Sequence, residues 1–343
     1  MRLALLALVV SFTAPTFAQH AHVRDAAQVD FPGQTDSNSP SFYLNGQFNQ
    51  INSIGLGPTL AAGPDQFHLG PAAPVSMTHV NPWPTWIESV WVDPTGVVFA
   101  WYHQEHFGVC PGTNFSVPHI GAAISYDGGA SFYDMGTIVA SGDPIDCSSQ
   151  NGYFAGGNGD VNVIVDRHNQ YFYFFFTNYS GPVENQGVVA ARLPFASRWS
   201  PIGAVQKYYQ GDWTEPGIGG RTTPVFPAKV SWQQPNTNSF WGPSLHWNTY
   251  LESYVMLLNH SCCTPGFPQK GIWASYATDL SKPASWTKPQ RILTDTGWYP
   301  QVIGLGPQGT DRRAGRIARL YIYGHSRWEI VFEKPAPQQA PPQ

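Results

Sequence analysis

Three carboxylates stand where the sequence can do chemistry. Glu88 opens the alternating stretch "TWIESVWVDPTGVVFAWYH" (residues 85–103), just ahead of an inward-looking run of Val and Trp. Asp160 sits in "GGNGDVN", where small neighbours leave room for a ligand, and Glu215 lies in "GDWTEPGIGGRTTPVFP", a Gly/Pro-rich connection that also carries Arg221. Cleavage of a glycosidic bond needs two carboxyl groups, one protonated to assist the leaving group and one ionised as base or nucleophile. A third carboxylate holds their pKa values apart by repulsion and hydrogen bonding. Glu88, Asp160 and Glu215 are therefore the expected catalytic set.

Aromatic side chains offer flat apolar faces to the C–H groups of a sugar, which nominates Trp86, Trp241, Trp247 and Tyr299 as binding residues. His103 and Glu105, in "WYHQEHF", are expected on the same rim, with Arg221, His246 and Gln301 as further polar contacts. Each residue also has a plain structural reading. Glu88 would pair with a buried Arg, Asp160 would accept bonds in a turn, Glu215 would be an exposed loop carboxylate, and the aromatics would simply pack blades. No spacing of His, Cys, Asp or Glu announces a metal site, and no cofactor is expected.

The elements that must position these residues form a repeat. A strand, a turn at Asp or Asn, an aromatic strand, a Gly-led strand and a terminal Trp or Phe recur three times, first as "ESVWVDPTGVVFAWYH" with "GAAISYDGGASF". The second copy is "DVNVIVDRHNQYFYFFFTN" with "GVVAARLPFASRW", and the third "PSLHWNTYLESYVMLLN" with "GIWASYATDLSKPASW". The turn residues Asp93, Asp166 and Asn248 are 73 and 82 residues apart, the size of a four-stranded propeller blade. An incomplete copy over Trp298–Glu333 lacks its last strand, and an N-terminal strand around Phe42–Phe48 is expected to complete it and close the ring. The fold class is thus all-β, a β-propeller of five blades, with six as the alternative count. Blade-entrance strands line the central channel, so Glu88, five residues before Asp93, and Asp160, six before Asp166, are expected to face one funnel. A β-sandwich would not explain a three-strand unit repeated in order.

Charged residues make up only 12% of the chain and aromatics 14%, with 34 Gly and 31 Pro, and no long segment shows a 3.6-residue apolar period, so helix content should be low. The net charge of −4, without a Lys/Arg cluster, argues against nucleic acid or an anionic membrane as partner. Residues 1–18 read as a secretory signal peptide and residues 334–343 as a disordered Pro/Gln-rich tail, leaving 19–333 as one domain. A secreted or periplasmic monomer without membrane insertion is expected, with a carbohydrate as its partner. The four cysteines suit an oxidising compartment: Cys110 with Cys147, and the neighbours Cys262 and Cys263 either as a vicinal disulfide or as two thiols.

On these residues two resemblances follow. "SYDGGASF" (Ser125–Phe132) resembles the Asp-box of sialidase blades, which implies that Asp127 fixes a hairpin turn and takes no part in chemistry. "FWGPSLHWNTYLESYVMLLN" (Phe240–Asn259) with "GWYPQVIG" (Gly297–Gly304) is similar to the five-bladed propeller glycosidases of the arabinanase and β-xylosidase type, near the endo-D-arabinanases. That resemblance implies a glycoside hydrolase acting on a furanoside such as arabinan, with Glu88 as base, Asp160 as modulator and Glu215 as acid. Glu88 departs from the family, which has Asp there, and Glu215 follows from order along the chain alone. Two alternatives remain: a non-catalytic carbohydrate-binding or adhesion propeller, and a sialidase using Arg221, Arg319 and Arg327 with Tyr299 and Glu215.

Overall fold

The computed structural model describes residues 20–55, 57–78, 82–294 and 297–334; the expected signal peptide and all but the first residue of the expected tail lie outside the described residues. Five antiparallel sheets stand radially around a channel, and the described residues contain no α-helix. Blade one is Ser41–Leu44, Gln47–Ile54, Gly57–Gly63 and Ala73–Pro74. Blade two runs from Thr85–Val92 through Val98–Phe107 and Ser116–Ser125 to Ser131–Val139, with Ser76–Thr78 added in parallel outside. Blade three runs from Asn158–Val165 outward to Asp212–Pro216, and blade four from Ser239–Asn248 outward to Gln290–Leu293. Blade five is Pro300–Gly304, Ile317–Ile322 and His325–Glu333.

An N-terminal strand does close the ring, but it is His20–Asp30, antiparallel to His325–Glu333. The expected Phe42–Phe48 cannot serve, because Asn45 (φ 51°) and Gly46 (φ 78°) fold it into a tight hairpin, and its two halves belong to blade one.

Packing between blades explains why some strands are apolar on both faces. In "YFYFFFTN", Phe172, Phe174 and Phe176 pack with Trp101 and Ile120 of blade two, while Tyr173 and Phe175 pack with Leu245 and Met256 of blade four. Side chains of a strand alternate between faces, and both faces here meet a neighbouring sheet. The hairpin of blade two is tied by Asp127, whose carboxylate accepts the Ser131 N–H at 2.9 Å and hydroxyl at 2.6 Å.

The inner strands present open edges to the channel, and an unpaired buried N–H is costly. Side chains of adjacent blades supply the missing acceptors. Ser53 Oγ accepts from Ile87 N at 3.0 Å, Ser89 Oγ from Val163 N at 2.8 Å, and Asn162 Oδ1 from Leu245 N at 3.1 Å. Gln301 Oε1 and Asp311 Oδ1 likewise accept from Ser39 N and Ser41 N, latching blade five to blade one. A disulfide joins Cys110 and Cys147, Cα atoms 5.5 Å apart, and a second joins Cys262 to Cys263. No helix among the described residues is long and apolar enough to cross a membrane.

Candidate active site at one mouth of the channel

The inner strands of blades two, three and four each carry one extra residue near the channel entrance. In blade two, Ile87 pairs with Tyr102 and Ser89 with Trp101, so Glu88 has no opposite number. In blade three, Asp160 and Val161 face the single Phe176; in blade four, Gly242 and Pro243 face Leu258. A bulge kinks the strand and re-aims the side chain it carries. This is why a carboxylate in an alternating strand turns toward the channel. Asp160 adopts φ 46° and Gly242 φ 56°, so the two are equivalent positions, and blade four has no carboxylate there.

Glu88 is fully buried and bound on several sides. His103 Nδ1 donates to Glu88 Oε1, Val161 N donates to the same oxygen at 3.3 Å, and Asn38 Nδ2 reaches Oε2 at 3.4 Å. His103 lies flat on Trp86, ring centroids 4.6 Å apart, and its Nε2 faces Glu105 Oε1 at 3.7 Å. Burial alone would lower the imidazole's pKa, but the Glu88 charge and the bonds to Glu105 and Glu88 outweigh it and hold the ring as imidazolium. Ligand atoms of Glu88, His103 and Asp160 lie within 4.8 Å of one another and are the grouping able to hold a metal among the described residues. Without an ion, His103 bridges Glu88 and Glu105; to ligate a metal it would have to be neutral, with a free lone pair.

Asp160 accepts a hydrogen bond from the Tyr179 hydroxyl and lines a narrow cleft of about 70 Å³. Burial, and then the charge of Glu88, push its pKa up to about 7 against the opposing pull of His103 and Tyr179. Glu105 lines the same cleft, its Oε2 accepting from Ser116 Oγ at 2.9 Å. Aromatic side chains complete the lining: Trp232, Trp241, Trp298 and Tyr299 from blades four and five and the connection before them, and Phe154, stacked at 4.3 Å on Tyr179.

Asp36, which sequence reasoning missed, lies near enough to this cluster to feel the charges of His103, Glu105 and Glu88. It precedes the inner strand of blade one, and its N–H donates to Ser53 O at 2.8 Å. Burial pushes its pKa up to about 6; the nearby His103 opposes the shift, while Glu105 and Glu88 add to it. The signal was present in Asn45–Gly46, a strong hairpin marker whose alignment on the other turns would have defined a fifth inner strand with an acid at its entrance.

The expected site is otherwise redistributed. Glu88 and Asp160 are brought together, with Trp86, His103, Glu105, Trp241 and Tyr299 around them. Glu215 is not there: it lies on the outermost strand of blade three, partly exposed, where Arg221 Nη2 donates to it at 2.6 Å. The bonds from the Arg221 side chain and backbone lower its pKa, the opposite of what an acid catalyst needs. Arg221 is spent on that pair. His246 is buried between blades four and five against Phe332, its pKa lowered by burial to about 3. Gln301 is the latch to Ser39, and Trp247 lies at the other end of the channel. The sialidase grouping does not assemble either. Arg319 is buried in bonds to Ala27 O and Ser326, and Arg327 lies over Trp328.

No sequence-family model matches the chain, and no curated protein matches it. Solved structures do. An exo-β-1,3-galactanase from Clostridium thermocellum matches with a TM-score of 0.50 at 13% identity, over 89% of this chain and 62% of that one. One from Phanerochaete chrysosporium with galactose gives 0.50 at 12% over 89% and 64%, and a GH43 β-1,3-galactosidase with galactodeoxynojirimycin gives 0.50 at 12% over 89% and 94%. The chain spans less than two thirds of the two exo-galactanases. The likeness is one of fold, and at that level it meets the expected resemblance to five-bladed propeller glycosidases.

Proposed function

We propose that the protein is an exported glycoside hydrolase whose proton donor is Asp160 and whose base is Asp36. The observation that carries this reading is a buried carboxyl group, kept protonated to about pH 7, in the wall of an aromatic-faced cleft. A general acid needs a pKa near the working pH, and burial beside Glu88 supplies that. Asp36 suits the base because no described residue occupies its carboxylate with a hydrogen bond, whereas Glu105 is held by Ser116. Glu88, which the sequence reading made the base, is sealed behind the cleft. With His103 it sets the field that separates the two aspartates, and so acts as a positioning residue.

Two substrate classes go to the test: an arabinan-type furanoside, as the sequence resemblance implies, and β-1,3-linked galactan, for which the structural neighbours are named. Purified protein is incubated with each and released reducing ends are measured. Asp160→Asn and Asp36→Asn should each lower turnover by about 10²–10⁴. A second reading, a sugar-binding propeller without turnover, draws on Gly242, since three successive blades carry the bulge and only two of them carry an acid on it. Sugar binding by the wild type with no reducing ends released from either class would establish that reading instead.

A further inference from the structure

At the end of the channel opposite Asp160, a cavity of about 770 Å³ opens among the turns that follow the inner strands. Its size falls within the roughly 300–1,000 Å³ of small-ligand sites. Three guanidinium groups, Arg167, Arg312 and Arg313, line it. The arginine ion pairs among the described residues are Arg24–Glu329 and Arg221–Glu215, so none of these three has a carboxylate within 4 Å, although the buried Asp311 acts on Arg312 through its charge. Two acids share the cavity. One is Glu252 and the other Asp166, whose carboxylate is held within its own turn by bonds from His168 N at 2.8 Å, Gln170 N at 3.0 Å and Tyr171 N at 2.8 Å, so the three guanidinium groups outnumber the acids that line the cavity.

Arg312 adds an independent observation. Its Nε is buried and has no hydrogen-bond partner, although a buried charged donor left unpaired is strongly unfavourable. Arg167 places its Cζ over Trp247, 4.4 Å from the ring centroid, a cation–π contact that holds the guanidinium group at the cavity wall. Trp91 and Tyr254 complete the wall with aromatic faces.

We propose that this mouth binds an anionic saccharide, a sugar unit bearing a carboxylate or sulfate group. The guanidinium fork matches both oxyanions, and the aromatic faces match the sugar ring. The site is separate from the Asp160 cleft and does not depend on turnover there.

Calorimetric titration of the full protein with trigalacturonate, with a sulfated galactan oligosaccharide and with neutral galactotriose tests it, at low and at physiological salt. At least one anionic probe should bind with a Kd below about 1 mM, weakening as salt rises. The Arg167→Gln/Arg313→Gln double variant, altered only at exposed side chains, should lose at least about tenfold in affinity. Its thermal unfolding, and its turnover of any neutral polysaccharide the wild type cleaves, should stay as in the wild type. Which probe binds identifies the anion. Failure of both anionic probes to bind, or unchanged affinity in the double variant, overturns the proposal. Loss of the hydrolase reading would appear instead as absent turnover of neutral polysaccharides with this binding intact.

Discussion

Asp160→Asn should inactivate the protein and stabilise it, by an amount that depends on pH. The carboxyl's pKa rises from 3.8 in water to about 7 in the fold. Between those values the folded state holds a proton that the unfolded chain has released, so stability falls as pH rises and the penalty is complete above the folded pKa. At 1.36 kcal/mol per unit, this amounts to about 1 kcal/mol at pH 4.5, about 3 at pH 6 and about 4 at pH 8. Asparagine keeps the shape and can still accept the Tyr179 hydrogen bond, but it does not ionise. The gain of the variant over wild type should therefore grow along that series and be nearly absent below pH 4. Urea unfolding at the three pH values measures it, with turnover on the active substrate recorded in parallel. A stability gap that does not change with pH would refute the buried-acid argument. Near-normal turnover in the variant would refute Asp160 as proton donor, whatever the stability data showed.

Turnover of the wild type should follow a bell. It requires Asp36 ionised, above about pH 6, and Asp160 protonated, below about pH 7, so the competent fraction is about 0.6 at pH 6.5 and about 0.1 at pH 5 and pH 8; a profile flat from pH 5 to 8 would contradict both assignments. Glu215→Gln should leave turnover within about twofold of wild type, because its Arg221 pair lies on the outer strand of blade three and surface pairs contribute little. Replacing Cys110 and Cys147 with Ser opens a crosslink of sequence separation 37, which should cost about 4 kcal/mol in denaturant unfolding; a loss under 1 kcal/mol would show that the bridge constrains little.

The propeller was legible because its turns are chemical signals. Asp93, Asp166 and Asn248 accept backbone N–H bonds within their own hairpins, a local demand that only a few side chains meet, so they repeat at blade spacing. The closing strand was not legible. "HAHVRDAAQVD" is largely polar and exposed, as befits an outer strand that buries little, and so it carries none of the apolar pattern by which the other strands announce themselves. Glu215 misled for a related reason: strand position within a blade leaves no mark in a Gly/Pro-rich segment, and order along the chain does not give distance from the channel. His246 and Trp247 show what alternation decides. Adjacent residues on one strand must take opposite faces, so one packs against Phe332 of blade five while the other meets Arg167 of blade three. The site itself sits where such local rules fail. Glu88 and Asp160 point into the channel because each strand gains one residue at that place, and a bulge follows from pairing with the neighbouring strand, information that no single stretch of sequence contains. The same displacement in blade four carries only Gly242 and Pro243, and its neighbour Trp241 joins the aromatic wall. One structural device, repeated three times, therefore delivers an acid where the bulged residue is Glu or Asp and none where it is glycine.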